Sequence, residues 1–219
     1  MSFNRYRSSL PRKRHASELF RKAGLADQGR SKSGSTMAQS WRMTGRTRKK
    51  PRPPLDQESL EQLALFYVGR YATTRAKLRA YLARKLRERG WQGEREPDSA
   101  ALAEKFADLG YIDDAAFAEA RARSLTRRGY GARRVDQALF AAGIEEPDSI
   151  DARQIAADNE WDAALAFARK RRFGPFATGE VDAGRKQKFL AAMMRAGHSY
   201  EIARKFVESD PGDIPERSD

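Results

Sequence analysis

Histidine and cysteine are the residues that would most readily give this chain catalytic or metal chemistry, and the sequence is nearly without them. It contains no cysteine and only two histidines, His15 and His198. Metal coordination and nucleophile activation need several such side chains together with carboxylates, and neither histidine has that company in the sequence. His198 directly follows a helix-ending glycine, so we interpret it as a side chain of a capping loop. We therefore expect no enzyme and no metal site.

Two short motifs have the outward form of a chemical site. Asp113 and Asp114 are adjacent carboxylates, but neighbours on a helix point about 100° apart, so a capping role at a helix N-terminus is favoured over a catalytic dyad. Gly129-Tyr130-Gly131 follows a predicted helix and not a strand, which favours a tight turn between helices over a phosphate-binding loop.

Positive charge is the chemistry that remains, and it is grouped along the chain. Residues 70–89 carry eight basic residues and one acid, and residues 121–134 carry six basic residues and no acid. Each group spans the elbow between the first and second helices of a predicted unit, and a third such place lies at residues 169–188. From these groups we predict a partner-binding basic stripe that consists of Arg70, Arg75, Lys77, Arg79, Arg127, Arg128, Arg133, Arg134, Lys170, Arg171, Arg172, Arg185, Lys186 and Lys188.

The alternative explanation of the stripe is that cations favour helix C-termini and solvated faces in any protein. That preference does not explain the basic residues at the start of each second helix, where positive charge is disfavoured. Three aromatic residues, Tyr71, Tyr130 and Phe173, lie beside the elbows. They have the chemistry to stack on bases or to enter a protein partner, but packing that sets the elbow angle is the favoured interpretation.

Three helix-ending glycines, Gly90, Gly143 and Gly197, indicate how the chain is organised. They lie 53 and 54 residues apart, and each follows an apolar-striped run and precedes a bulky residue. A glycine just past a helix end adopts the left-handed conformation without a Cβ penalty. A period of this length indicates one helical unit used three times. Alanine occurs 35 times, against ten for valine and isoleucine together, so we predict an all-α fold of three tandem three-helix repeats.

The predicted domains follow from this period and from the proline-rich boundary at residues 51–54. They are a disordered basic tail (1–54), repeat 1 (55–110), repeat 2 (111–157), repeat 3 (158–209) and a frayed C-terminus (210–219). We expect Thr73 or Thr74, Asp98 or Ser99, Asp113 or Asp114, and Ser199 to cap helices. Leu102, Phe106 and Leu109 are predicted to face the core from the third helix of repeat 1. One long helix through Asp158 is an alternative to the boundary between repeats 2 and 3.

The net charge of +13 belongs to the tail. Residues 1–54 hold 15 basic residues and two acids, whereas basic and acidic residues balance over residues 55–219. Because the tail has few large apolar residues, it cannot bury enough surface to offset the conformational entropy lost on folding, and we predict that it is disordered. Translation from Met37 is an open alternative. The sequence has no apolar run long enough to span a bilayer and no secretory signal, which together with the lack of cysteine leads us to expect a cytoplasmic protein without membrane contact.

From about Leu60 to Val207, the sequence resembles the RecX family of bacterial recombinase regulators. The most specific segment is the run from Leu109 to Asp114 (LGYIDD), which is followed by Phe117-Ala118 and then by Arg127 to Gly131 (RRGYG). Further similar segments are residues 78–90, residues 186–190 and the stretch from Gly197 to Tyr200. The ordered set covers about two-thirds of the chain and all three predicted repeats.

The resemblance implies an elongated, curved, monomeric array of three-helix repeats that binds in the groove of the RecA–DNA filament and modulates the recombinase, usually by inhibition. It implies a role in DNA repair, recombination and the SOS response, and neither a cofactor nor a catalytic residue. The tail is outside the family pattern. Two alternatives stay open: a direct nucleic-acid-binding protein that uses the tail and repeats on single- or double-stranded DNA, and a purely structural helical adaptor.

Overall fold

The computed structural model describes residues 52–217, and this part of the chain is all-helical, which confirms the predicted fold class. Residues 1–51, which make up nearly all of the predicted tail, lie outside the described residues. The described part contains nine α-helices: α1 (Gln57–Arg70), α2 (Arg75–Arg89), α3 (Ser99–Asp108), α4 (Asp114–Arg127), α5 (Ala132–Ala141), α6 (Glu146–Asp158), α7 (Glu160–Arg171), α8 (Ala183–Ala196) and α9 (Tyr200–Glu208). A short 3-10 helix, Gly174–Phe176, lies between α7 and α8.

Side-chain oxygens satisfy the first backbone N–H groups of most of these helices, which is why the helices begin where they do. The caps predicted at Thr74, Asp98, Asp113 and Ser199 are confirmed, and each of these side chains accepts a hydrogen bond from an N–H two or three residues later. Asp113, for example, accepts from the N–H of Ala116 at 2.8 Å.

The helices form three groups of three, each around its own buried cluster. The clusters contain Leu60, Leu78, Leu82, Leu102 and Phe106 in α1–α3; Ala118, Leu125, Val135 and Leu139 in α4–α6; and Phe167, Phe189, Met193 and Phe206 in α7–α9. The prediction that Leu109 faces the core is wrong, since its side chain is 61% exposed. Helix α3 ends at Asp108, so Leu109 has left the helical face that carries Phe106 into the core.

The three glycines that define the period all follow second helices and have positive φ angles. Gly197 adopts the predicted left-handed conformation, whereas Gly90 has a ψ of 175° and lies outside it. The φ angles of the three glycines are +80° at Gly90, +68° at Gly143 and +96° at Gly197. Two of them lie against the neighbouring repeat: a Cβ on Gly143 would lie 2.3 Å from the Cβ of Ala76, and a Cβ on Gly197 would lie 2.4 Å from the backbone nitrogen of Arg134.

Consecutive repeats therefore meet through the ends of their second helices. At the first junction, Thr74 Oγ1 at the start of α2 donates to the Ala142 carbonyl at the end of α5, at 2.7 Å. At the second junction, the N–H of Gly131 at the start of α5 donates to the Ala196 carbonyl at the end of α8, at 3.0 Å, and the N–H of Arg133 donates to the Gly197 carbonyl. In both junctions, the residue before the helix-ending glycine accepts one of these bonds, and at the second junction Gly197 itself accepts another.

The two ends of the described chain are tied to the repeats. Leu55 is buried and pairs with Trp91 in an isolated parallel bridge, and the Pro53 carbonyl accepts from Arg89 Nε, so ordered contacts begin before the predicted start of repeat 1. Residues 210–217 form no helix, but two hydrogen bonds connect them to the helical repeats. The N–H of Gly212 donates to the Pro175 carbonyl, and Arg217 donates to the Asp158 carbonyl.

The chain forms two helices here, α6 and α7, with Asn159 between them, and not one long helix. The bounds of the predicted domains remain predictions.

Candidate partner-binding surface

Several of the predicted basic residues converge on a cavity at the junction of the first two groups of helices. The cavity has a volume of about 440 Å³ and lies between α2, α4 and α5. Its cations are Lys77, Arg121, Arg128 and Arg134, and no acidic residue of the described chain lines it. None of these four side chains forms an ion pair within residues 52–217. A concave site with four unneutralised cations favours an anionic partner.

Lys77 has the most desolvated charge of this cavity. Its Nζ lies 4.2 Å from the centre of the Phe117 ring, which is a cation–π distance. Partial burial lowers the pKa of Lys77 below its usual value, the neighbouring charge of Arg121 lowers it further, and Asp114 partly opposes both effects. An incoming anion would relieve the cost of holding this ammonium group away from water beside another cation.

A second, smaller cavity continues from the first across the next junction. It has a volume of about 220 Å³, and its cations are Arg128, Lys170, Arg171 and Arg195. Arg128 and Tyr130 line both cavities, and the Arg128 guanidinium lies 5.3 Å from the centre of the Tyr130 ring. No acidic residue lines this cavity either. We call the two together the paired basic cavities.

The paired basic cavities include only part of the predicted stripe. Lys77, Arg128, Arg134, Lys170 and Arg171 line them, whereas the remaining predicted residues other than Arg75 lie elsewhere on the surface: Arg70, Arg79, Arg127, Arg133, Arg172, Arg185, Lys186 and Lys188. Lys186 instead lines a separate cavity that also contains Glu180 and Asp210.

Two cations of the cavities were not among the predicted stripe residues, Arg121 and Arg195. Arg121 precedes Arg128, the C-cap of α4, by seven residues, so both lie on the same face of that helix. This spacing could have identified Arg121 from the sequence. Arg195 stands alone between Met194 and Ala196, and its place becomes evident only once α8 is packed against the elbow of α4 and α5.

Arg75, one of the predicted stripe residues, has its charge paired within the protein. Its guanidinium lies 2.9 Å from Asp114 Oδ2 and 3.2 Å from Glu104 Oε2, and it also pairs with Asp148. The bonds to Asp114 and, to a smaller extent, Glu104 raise the pKa of Arg75, and partial burial opposes them in part. The basic residue at the start of α2 is therefore explained by an ionic link between the first two groups of helices. Asp113 confirms the capping prediction, whereas Asp114 is a buried ion-pair partner.

His198 lies at the second junction. Its ring is fully buried, Nε2–H donates to the Gly129 carbonyl at 3.1 Å, and Nδ1 has no hydrogen-bond partner within residues 52–217. Burial lowers the pKa of His198, which the bond to Gly129 and the charge of Glu160 only partly oppose. The ring also lies edge-on to Phe167. His198 is therefore a neutral packing group at the junction.

No group of three or more histidine or acidic side chains within residues 52–217 is arranged to hold a metal ion. In the same range, no helix combines the length and apolar character needed to cross a membrane.

Comparison with known proteins gives consistent matches. A family model described as RecX, second three-helix domain, matches residues 113–149. The regulatory protein RecX of Myxococcus xanthus is 37% identical over 163 residues, which cover 69% of this chain and 86% of that protein. The regulatory protein RecX of Agrobacterium fabrum is 35% identical over 148 residues, which cover 66% and 79% of the two chains. The crystal structure of RecX from Lactobacillus salivarius shares the fold, with a TM-score of 0.50 at 19% identity over 69% of this chain and 94% of that one.

Proposed function

This chain belongs to the RecX family of regulatory proteins, and on that premise we propose that it binds the RecA–DNA filament and inhibits the ATP hydrolysis and strand exchange of the recombinase. The observation that carries the proposal is the pair of basic cavities at the repeat junctions. A RecA–DNA filament presents phosphates and protein carboxylates, and either group complements a cavity lined by cations and no acid.

The position of the cavities at two successive junctions suits a partner that is itself extended. A ligand that fills both cavities contacts all three repeats, and contacts made together gain affinity over either one alone. Arg128 contributes to both cavities, so it is the residue whose charge affects the largest part of the surface. We assign no catalytic step to this protein, which acts by binding. We further propose that it works as a monomer in the cytoplasm.

The test is DNA-dependent ATP hydrolysis by the cognate recombinase, titrated with the full-length protein. Arg128→Glu should raise the concentration needed for half-inhibition roughly 30-fold or more, because charge reversal at a central interface residue costs about 2 kcal/mol or more. The matched control is Lys188→Glu, which makes the same charge change at an exposed residue of the predicted stripe outside both cavities. It should change half-inhibition by no more than about twofold.

Three outcomes separate the possibilities. Loss of inhibition with Arg128→Glu alone supports the cavities as the contact surface. Equal loss with both variants would mean that bulk charge acts without a defined site. Undiminished inhibition with Arg128→Glu, at unchanged helicity, would remove the cavities from the mechanism.

A further inference from the structure

Three tyrosines form a continuous row of rings on repeat 1, apart from the residues that line the paired basic cavities. The rings of Tyr67 and Tyr81 are stacked, with centroids 4.2 Å apart and planes 13° from parallel. The ring of Tyr71 lies next to that of Tyr67, with centroids 5.4 Å apart, and is tilted by 52° from it. Helices α1 and α2 supply the row: Tyr67 and Tyr71 are four residues apart at the end of α1, and Tyr81 faces them from α2.

Cations lie at both ends of this tyrosine row. The Arg70 guanidinium is 5.7 Å from the centre of the Tyr71 ring, and at the other end Arg84 and Lys85 are 5.6 and 5.8 Å from the centre of the Tyr81 ring. Glu88 pairs with both Arg84 and Lys85, whereas Arg70 has no ion-pair partner in the described part of the chain. The row and its flanks therefore carry a net positive charge.

Tyr71 differs from the other rings because the protein leaves it open. Tyr67 and Tyr81 pack against the core of repeat 1, but Tyr71 is 50% exposed and belongs to no core cluster. Its backbone is nevertheless fixed, since its N–H donates to the Tyr67 carbonyl at 3.0 Å. Phe173, at the matching elbow of repeat 3, is 8% exposed and stacks on Phe189 at 3.7 Å. Core packing thus accounts for Phe173, whereas the ring of Tyr71 has only Tyr67 and Arg70 as ring contacts among the described residues.

We propose that the tyrosine row is a binding site for single-stranded nucleic acid, with a base stacked on Tyr71 and backbone phosphates held by Arg70 and Arg84. Fixed aromatic rings beside cations are the features that single-strand-binding surfaces share, and stacking tolerates any base because every base has a π face. A duplex keeps its bases stacked on each other, so the ligand is a single strand. A protein partner also uses tyrosine and arginine, but an exposed ring beside a stacked pair of rings, with cations next to Tyr71 and Tyr81, suits a base and its neighbouring phosphates better.

This proposal goes beyond the proposed function, because it requires no recombinase. The experiment measures binding of the full-length protein to a labelled thymidine strand of about 20 nucleotides and to an abasic strand of equal length, by fluorescence anisotropy at moderate salt. Salt weakens phosphate contacts, including those of the basic tail, more than it weakens stacking. Tyr71→Ala should weaken binding to the thymidine strand about tenfold, because stacking contributes about 1–3 kcal/mol per base. It should leave binding to the abasic strand unchanged.

Two further variants make the test specific. Tyr200→Ala removes a tyrosine that is 52% exposed on repeat 3 and should change neither affinity. Tyr71→Phe keeps the ring and should bind both strands like the wild type, since stacking needs no hydroxyl group. Circular dichroism of each variant checks the fold.

The proposal is overturned if Tyr71→Ala and Tyr200→Ala bind the thymidine strand equally well, or if Tyr71→Ala weakens binding to both strands alike. It is also overturned if Tyr71→Ala leaves strand binding intact and weakens only inhibition of the recombinase, because Tyr71 would then contact protein. Failure of the Arg128→Glu test would not affect this result, since the strand assay contains no recombinase.

Discussion

The two junctions between repeats share a backbone plan and are held by different chemistry. In each, the start of one second helix bonds to the end of the next one along the chain. The first junction adds Arg75, which pairs with carboxylates from α3, α4 and α6. The second junction has no ion pair of this kind among the described residues. It relies on direct backbone contact between Gly131 and Gly197 and on the buried ring of His198.

This difference determines which perturbation each junction resists. A partly buried ion-pair network depends on charge, since removal of one partner leaves the others unpaired. A close backbone contact depends on volume, because nothing in it can move aside. The first junction should therefore be sensitive to loss of charge, and the second to an added methyl group or an added proton.

The largest expected effect is from Arg75→Met, which breaks the first junction. The Asp114 side chain is only 3% exposed and would lose its charged partner, so we expect the free energy of unfolding to fall by about 3 kcal/mol. Urea unfolding followed by circular dichroism measures the loss. Arg153→Met is the matched control, since Arg153 also bridges two acids, Asp136 and Glu146, but on the exposed surface. It should cost less than about 1 kcal/mol. Equal losses would show that burial of the Arg75 network contributes nothing.

A smaller effect is expected from Gly131→Ala, which forces the second junction apart. The new Cβ would lie 2.4 Å from the Gly197 carbonyl oxygen and 2.6 Å from the His198 nitrogen, and both are backbone atoms. We expect a loss of about 2 kcal/mol, typical of overpacking. Gly69→Ala is the control, because Gly69 lies in α1 with open space around it. It should be neutral or stabilise by up to about 1 kcal/mol. A stable Gly131→Ala protein would mean that the junction adapts to added volume.

The smallest effect is a pH dependence that belongs to the second junction. The pKa of His198 is lower in the folded protein than its ordinary value of 6.5, so the unfolded chain takes up the proton more readily. The stability that neutral His198 contributes is fully present above pH 6.5. It declines as the pH falls below 6.5, by up to about 1.4 kcal/mol per pH unit, until the folded-state pKa is reached. Urea unfolding at pH 7.5 and pH 5.5 measures this change.

His198→Gln supplies the comparison, because an amide has a similar polar character and no proton to gain in this range. Its stability should change less than that of the wild type between the two pH values. Asp56, Glu61 and Glu88 also have lowered pKa values, but their ordinary values of 3.8 to 4.5 place their titration below this window. If the variant and the wild type show the same pH dependence, His198 is not its source.

The comparison of the two junctions also shows how much of the structure the sequence alone predicts. Helix ends depend on local chemistry, so Gly143, Thr74 and Asp113 could be assigned from the residues around them. The role of Arg75 could not, because its carboxylate partners are 29, 39 and 73 residues away. In the sequence, Arg75 lies among basic residues that were all predicted to form the binding stripe, and nothing nearby distinguishes it from them. Only the packing of the first two repeats separates Arg75 from Lys77, two residues later.

The same limit applies to His198 and Gly131. The sequence places each beside a helix end, which is correct, but the contact between the two elbows depends on how repeat 3 lies against repeat 2. The aromatic residues of the elbows likewise required the structure to separate them. Phe173 has the packing role favoured for all three, whereas Tyr71 is half exposed and Tyr130 lies between two buried clusters.

The start of α2 contacts the end of α5, and the start of α5 contacts the end of α8. Each helix carries about half a positive charge at its N-terminus and half a negative charge at its C-terminus. At the two junctions these opposite partial charges lie in contact and largely cancel. The two ends that remain are met by side chains of opposite sign: Asp182 caps the start of α8, and Arg87 and Arg89 lie in the last turn of α2. Each end of the three second helices is thus opposed by an opposite charge from the described part of the chain.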